Sequence, residues 1–216
     1  MTTLSTNAIR TRLLHKDVAK RLVISPLLDD KGQAKAGNAA VDVRLGFDFC
    51  LVTASSIGSI SEFADPDQQP LSFTKLYRRE YVPFGSSIVI HPHQFMLAQT
   101  LEYLRLPSDL MAYVVGRSTW GRLGLIVATA IGIHPGFAGS LTFELRNLGE
   151  TPLKLFPGQT VAQLFFHEVT DADGKPATER AAEAQYAGTV DMVPKRISSK
   201  MTHGRLLKLI KRFNAT

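Results

Sequence analysis

The chain is poor in cysteine, in long apolar runs and in the compact signatures of metal or nucleic-acid binding. Cys50 is the only thiol in 216 residues, so no internal disulfide can form, and a reducing compartment, the cytoplasm, is the expected location. No stretch approaches the roughly 18 consecutive apolar residues of a membrane span, and the first twenty residues lack the unbroken apolar core of an export signal. Cys/His fingers, RNA-binding aromatic patterns, a clear basic recognition helix and internal repeats are all missing. His15, His91, His93, His134, His167 and His203 have no ligand spacing, His91 and His93 standing two apart in a turn.

What remains is the composition of a soluble globular protein, with 44% hydrophobic and 20% charged residues. The length suits one domain, residues 1–216, able to bury its own core without a covalent or metal staple. The formal net charge of +6 suggests an anionic partner. Much of it gathers late, in Lys195, Arg196, Lys200, Arg205, Lys208, Lys211 and Arg212. Without a recognition motif, a nucleoside triphosphate fits that charge better than a long nucleic acid.

An amphipathic stretch from Leu13 to Leu22 predicts a short N-terminal helix. Beyond the polar loop Asp29–Asn38, Val41-Asp42-Val43-Arg44-Leu45 alternates as a half-buried strand does. Further strands are expected over Ser87–Ile90, Phe95–Thr100, Met111–Val115, Leu125–Ala130, Ser140–Asn147, Pro152–Leu155 and Val161–Val169. Turn signals such as His134-Pro135-Gly136 and Phe156-Pro157-Gly158 separate most of them. Many short strands punctuated by Gly and Pro predict a mainly β sandwich or barrel rather than βαβ units. Residues 177–185 read as helix or loop, and Arg205–Arg212 as a final basic helix.

Two stretches carry chemistry. In Gly116-Arg117-Ser118-Thr119-Trp120-Gly121-Arg122-Leu123-Gly124-Leu125, one helical turn would put Ser118 and Arg122 on one face, with Gly124 suited to ending it. A hydroxyl beside a guanidinium can hold a water or a substrate oxygen, and Arg117 can clamp a phosphate; a solvated turn with surface ion pairs is the alternative. In the second stretch, Ile133 to Asn147, strand alternation sends Leu141, Phe143 and Leu145 to one face and Thr142, Glu144 and Arg146 to the other. Glu144 there is either a solvent-facing strand residue or a functional acid.

The two stretches together resemble the dCTP deaminase family, related to the trimeric dUTPases. Val41–Gly46, Leu97–Glu102 with Leu106-Pro107, the Arg117–Leu125 turn, the Ile133–Glu144 hairpin, and Leu155–Gln159 with Gln163-Leu164 follow in that family's order. The resemblance covers about 13–169, with a weaker echo at Tyr186. It implies a distorted jelly-roll of the dUTPase-like type with short terminal helices, assembled as a homotrimer with sites at subunit interfaces. Residues 170–216 would form an extension able to close over the nucleotide. The implied ligand is a deoxynucleotide of the dCTP, dUTP or dTTP type, accompanied by Mg²⁺ and without zinc.

Carried over by that resemblance, Glu144 is the carboxylate that moves protons, Ser118 and the carbonyl of Ala130 hold the attacking water, and Arg122 supports the site. Arg117, Thr119, Trp120 and Gly121 belong to the phosphate-binding turn. His134, Thr142, Phe143, Gln185 and Thr189 fall at nucleotide-lining positions. The zinc-dependent cytidine deaminases do related chemistry with an H-x-E and P-C-x-x-C signature, which a single cysteine excludes.

Three positions depart from the family pattern. His134 stands where an aspartate is usual before Pro-Gly, Gln185 where a lysine precedes tyrosine, and Thr189 where a glutamine follows glycine. Lys175, Arg180, Lys195 and Arg196 are cations available to replace the lost charge. Deamination of dCTP to dUTP is the first expectation, dUTP hydrolysis or a bifunctional deaminase and pyrophosphatase the second, and a catalytically weak nucleotide-binding protein the third. Glu144 favours the first.

Overall fold

The computed structural model describes residues 2–27, 30–52, 76–169 and Lys211. The chain divides into two compact units, 1–52 with 79–192 and 53–78 with 193–216, and the described residues belong almost entirely to the first. The basic helix expected over 205–212 lies outside them apart from Lys211.

Strands dominate, as the punctuated pattern predicts. In chain order the elements are α1 (Thr6–Leu13), β1 (Val23–Ser25), α2 (Asp30–Gln33), β2 (Val41–Val52), β3 (Tyr77–Tyr81), β4 (Ile88–Ile90) and β5 (Phe95–Arg105). They continue with β6 (Leu110–Gly116), α3 (Ser118–Arg122), β7 (Leu125–Val127), β8 (Gly132–Ile133), β9 (Ala138–Asn147), β10 (Leu153–Leu155) and β11 (Thr160–Glu168). The main path of hydrogen-bonded neighbours runs β7-β9-β5-β2-β11-β6-β8, with β1 on β5, and β10 pairs with β4 as a separate ribbon. Those pairings are antiparallel.

Alternation decides which side chains enter the core. Along β9 every second residue, including Leu141, Phe143 and Leu145, is buried. Phe49, Phe143 and Phe166 are fully enclosed, with Leu45, Ile90 and Met96 among their companions in the same cluster. Each such side chain contributes about 1.5–3 kcal/mol relative to exposure.

Thr6, Gln33, Thr100, Glu102 and Asn147 are the buried polar side chains among the described residues, and Glu102 is the one ionisable group in that set. Glu102, with 0% of its side chain exposed, accepts from Arg44 Nε at 2.6 Å, from the Arg44 backbone N–H at 2.9 Å and from Gln33 Nε2 at 3.0 Å. A carboxylate so enclosed is tolerable only because its lone pairs are occupied.

Three expectations need correction. The N-terminal helix is Thr6–Leu13, not Leu13–Leu22, and Leu14 is 82% exposed. Ser5 caps it through the Ala8 N–H, while Asp17 accepts from the Ala19 N–H and Arg21 Nε donates to the His15 carbonyl. These local bonds hold residues 15–21 as a turn in competition with helix.

The segment from Ile133 to Glu144 is not a hairpin. β8 pairs with β6, whereas β9 pairs with β5 and β7, so the His134-Pro135-Gly136 turn carries the chain from one neighbour set to another. Finally, the strand expected to reach Ala130 stops at Val127, where pairing opposite Leu145 ends.

Candidate active site

Glu144 sits at the point where β9 loses its outer neighbour. Its carbonyl accepts from the Ala128 N–H at 2.7 Å, and its own N–H donates to the Thr129 hydroxyl at 2.8 Å. Both backbone groups of Glu144 therefore face the β7 side. Thr142, two residues back, turns its N–H and C=O the same way, beyond the end of β7. That open edge is where a flat heterocycle could be read by main-chain groups.

The Glu144 side chain is half-buried and has no hydrogen bond or ion pair among the described residues. Loss of solvent without a compensating donor raises its pKa above the ordinary glutamate value. Phe143 contributes no side chain to this edge, since its ring lies wholly in the core; its backbone pairs with Ala98 on β5.

α3 is the single turn that its sequence predicts, with Arg117 at the N-cap. Ser118 and Arg122 are four apart and share a face, and Ser118, Thr119, Gly121 and Arg122 are exposed. Two bonds tie this turn to β11: the Arg117 N–H donates to the Val161 carbonyl at 2.9 Å, and Trp120 Nε1 donates to the Thr160 carbonyl at 2.9 Å. Trp120 is thus an anchor packed on the core rather than an exposed stacking surface.

Gly124 closes the turn at φ +92, and a Cβ there would lie 2.5 Å from the Gly149 backbone nitrogen. Both the left-handed backbone and the close approach require glycine. The Gly124 carbonyl then accepts from Leu148 N–H at 2.8 Å.

Arg117 is already engaged. Its Nη1 donates to both oxygens of Asp42 at 2.7 Å, and Gln163 Nε2 donates to Asp42 Oδ1 at 2.7 Å. Any anion it takes would meet the rest of its guanidinium.

These elements bring Glu144 and the Ala128–Ala130 segment together within one chain. They do not bring Ser118 or Arg122 against Glu144. α3 enters β7 at Leu125, opposite Asn147, and Glu144 lies three residues, about 10 Å, back along β9. His134 is exposed in the turn before β9, its carbonyl accepting from Phe137 N–H at 3.2 Å. Gln185 and Thr189 lie outside the described residues, as do Lys175, Arg180, Lys195 and Arg196.

Thr129 bonds Glu144, Asp42 bonds Arg117 and Gln163 bonds Asp42, so all three border the candidate site, though the sequence did not single them out. Alternation had placed Asp42 and Arg44 on one face of a half-buried strand, a usable sign that this acid needed a partner. Nothing comparable marked Thr129. Among the described residues no three of His, Cys, Asp or Glu gather as a metal-holding group, and no helix is long and apolar enough to cross a membrane.

A family model described as dCTP deaminase-like matches residues 4–169. A protein of Methanobrevibacter smithii named "dCTP deaminase, dUMP-forming" is 37% identical over 151 residues, 69% of this chain and 74% of its own length. One from Natronomonas pharaonis named "dCTP deaminase" is 36% identical over 184 residues, 84% of this chain and 89% of its own length. The crystal structure of 2′-deoxycytidine 5′-triphosphate deaminase from Agrobacterium tumefaciens aligns with a TM-score of 0.55 at 22% identity, over 78% of this chain and 48% of that chain. This last likeness is one of fold.

Proposed function

The chain belongs to the dCTP deaminase-like family, and on that premise we propose that it hydrolyses the C4 amino group of dCTP, releasing dUTP and ammonia. The observation that carries this reading is the carboxylate of Glu144, half-buried, unpartnered among the described residues and raised in proton affinity by burial. A raised carboxylate both accepts and returns a proton more readily near neutral pH than an exposed one.

In the proposed reaction Ser118 and the Ala130 carbonyl hold a water, and Glu144 takes one of its protons. The water oxygen bonds to C4 while N3 receives that proton through Glu144. The C4–N4 bond then breaks with its electron pair going to nitrogen, Glu144 passes the remaining hydroxyl proton to the departing amine, and the ring keeps the oxygen as a carbonyl. Arg122 supports the water-binding turn, and the Thr142 main chain lines the base, with Phe143 holding that stretch of β9 against β5. His134 lies at the sugar, and Arg117 with residues 119–121 takes the phosphates. Gln185 and Thr189 complete the contacts from the extension.

The distance between α3 and Glu144 along β9 supports a homotrimer in which Ser118 and Arg122 of one subunit face Glu144 of another. Leu123, Ile126, Ile131 and Leu148 are exposed around these elements and supply apolar surface of the kind an interface covers. Mg²⁺ enters with the triphosphate, whose oxygens are its natural ligands. The proposed setting is the cytoplasm, consistent with a buried Cys50 that has no second cysteine in the chain to form a disulfide with.

A second reading, deamination followed by hydrolysis to dUMP, is favoured by the name of the Methanobrevibacter relative. Incubating the purified protein with dCTP and Mg²⁺ and separating dCTP, dUTP and dUMP decides between them. dUTP with stoichiometric ammonia is the expected result, dUMP would establish the second reading, and unconsumed dCTP would overturn both.

A further inference from the structure

Thr129 takes no part in the proton transfers, yet its side chain joins the two halves of the candidate site. In an antiparallel ladder the residue opposite Glu144 would exchange both backbone bonds with it. Ala128 makes one of them, N–H to the Glu144 carbonyl at 2.7 Å. The reciprocal bond goes instead to the Thr129 hydroxyl, which accepts from the Glu144 N–H at 2.8 Å.

This exchange has two consequences. It releases the Ala128 carbonyl from the ladder, so the backbone leaves β9 here and continues through Ala130 to Ile131, whose carbonyl is taken by Val114 N–H at 2.9 Å on β6. It also leaves the hydroxyl hydrogen of Thr129 uncommitted, since a hydroxyl has one hydrogen to give and two lone pairs to offer. No acceptor for that hydrogen is present among the described residues.

We propose that Thr129 is a positioning residue, which fixes the Glu144 backbone against the segment carrying the Ala130 carbonyl so that carboxylate and carbonyl address one water. The proposal rests on the reading of Glu144 as the base. It adds a residue that acts through Glu144 and does not itself touch the reacting atoms.

Thr129→Val keeps the branched shape and removes only the hydroxyl. Its kcat with dCTP falls by about 10- to 100-fold, the scale of a misplacement near 1 Å, while KM stays within about threefold. Thr129→Ser restores the acceptor and returns kcat to within about threefold of wild type. Thr129→Ala repeats the test where the valine variant does not assemble.

Hydrogen exchange at the Glu144 amide gives a second readout that does not depend on turnover: faster in the valine and alanine variants, protected in wild type and serine. Wild-type kcat and protection in the valine variant would overturn the proposal, as would an equal loss in the serine variant or a change confined to KM. A wild-type protein that leaves dCTP intact would overturn the deaminase reading and the catalytic part of this proposal together. The exchange data would still decide whether Thr129 holds Glu144.

Discussion

Arg117 presents one terminal nitrogen to both oxygens of Asp42, at 2.7 Å to each, and so ties the N-cap of α3 to β2. The Val161 and Trp120 bonds fix the backbone of that turn; the Asp42 pair fixes which edge of the Arg117 guanidinium faces outward. An arginine aimed in this way meets a phosphate with less ordering left to do.

Asp42→Ala should therefore weaken triphosphate binding more than chemistry. KM for dCTP is expected to rise by about 5- to 30-fold, corresponding to 1–2 kcal/mol for one charge-assisted bond, with kcat within about threefold of wild type. Steady-state kinetics check this. A drop in kcat at unchanged KM would mean that Arg117 serves the base rather than the phosphates.

Glu144→Gln should separate activity from stability. Turnover is expected to fall by about 10²- to 10⁴-fold, the usual worth of a general acid–base. The raised pKa means that the folded protein keeps a proton the unfolded chain releases, between the ordinary glutamate value and the raised one. The folded state binds more protons there, so stability falls as pH rises through that window, and the full cost is present above it. Glutamine removes the titration. Thermal unfolding should show the variant at least as stable as wild type at pH 7, without the wild-type decline across the window.

The same shift sets the direction of the rate profile. A base must be ionised to accept the water's proton, so kcat/KM should fall on the acid side with a limb above the ordinary glutamate range. A limb at or below that range would place the essential ionisation on a more exposed carboxylate.

How much of this was legible follows from where each residue's partners lie. The face assignments on β9 came from Leu141, Phe143 and Leu145 alone, because strand alternation is local. α3 was legible for the same reason: the Ser118–Arg122 spacing and Gly124 describe one turn and its end. The pairing of β8 with β6 was not, since His134-Pro135-Gly136 signals a turn without naming the strand that follows its partner. Thr129 and the Asp42–Arg117 pair were hidden because their bonds reach across 15 and 75 positions. The N-terminal helix was misplaced by a local cause that could have been read, the Asp17 side chain bonding its own turn.

Glu102 and Arg44 test the interior rather than the site. With side-chain exposures of 0% and 11%, the pair is sealed, and removing one member leaves the other charge without its partner. Glu102→Ala is expected to lose about 3–5 kcal/mol of stability, read by denaturant unfolding, whereas an exposed pair would lose less than about 1 kcal/mol. A loss in the smaller range would mean that Arg44 and Gln33 find other partners or water.

On the proposed reading, His134 decides the product. In the turn before β9 it is exposed and its carbonyl bonds Phe137 N–H, so the imidazole is free to face the sugar end of a nucleotide bound along the Thr142 edge. A carboxylate at this position can accept hydrogen bonds from the sugar hydroxyl and from a water at once, with full negative charge. An imidazole carries no negative charge in either protonation state and offers at most one acceptor. It can hold the hydroxyl or orient a water, but it supplies no anion to draw a proton from a water aimed at phosphorus. The wild-type protein should therefore convert dCTP to dUTP and leave added dUTP intact. His134→Asp should allow some dUTP to proceed to dUMP and pyrophosphate, seen by separating the nucleotides and assaying pyrophosphate. If wild type itself yields dUMP from either substrate, the imidazole is no barrier, and the dUMP-forming reading replaces the dUTP one.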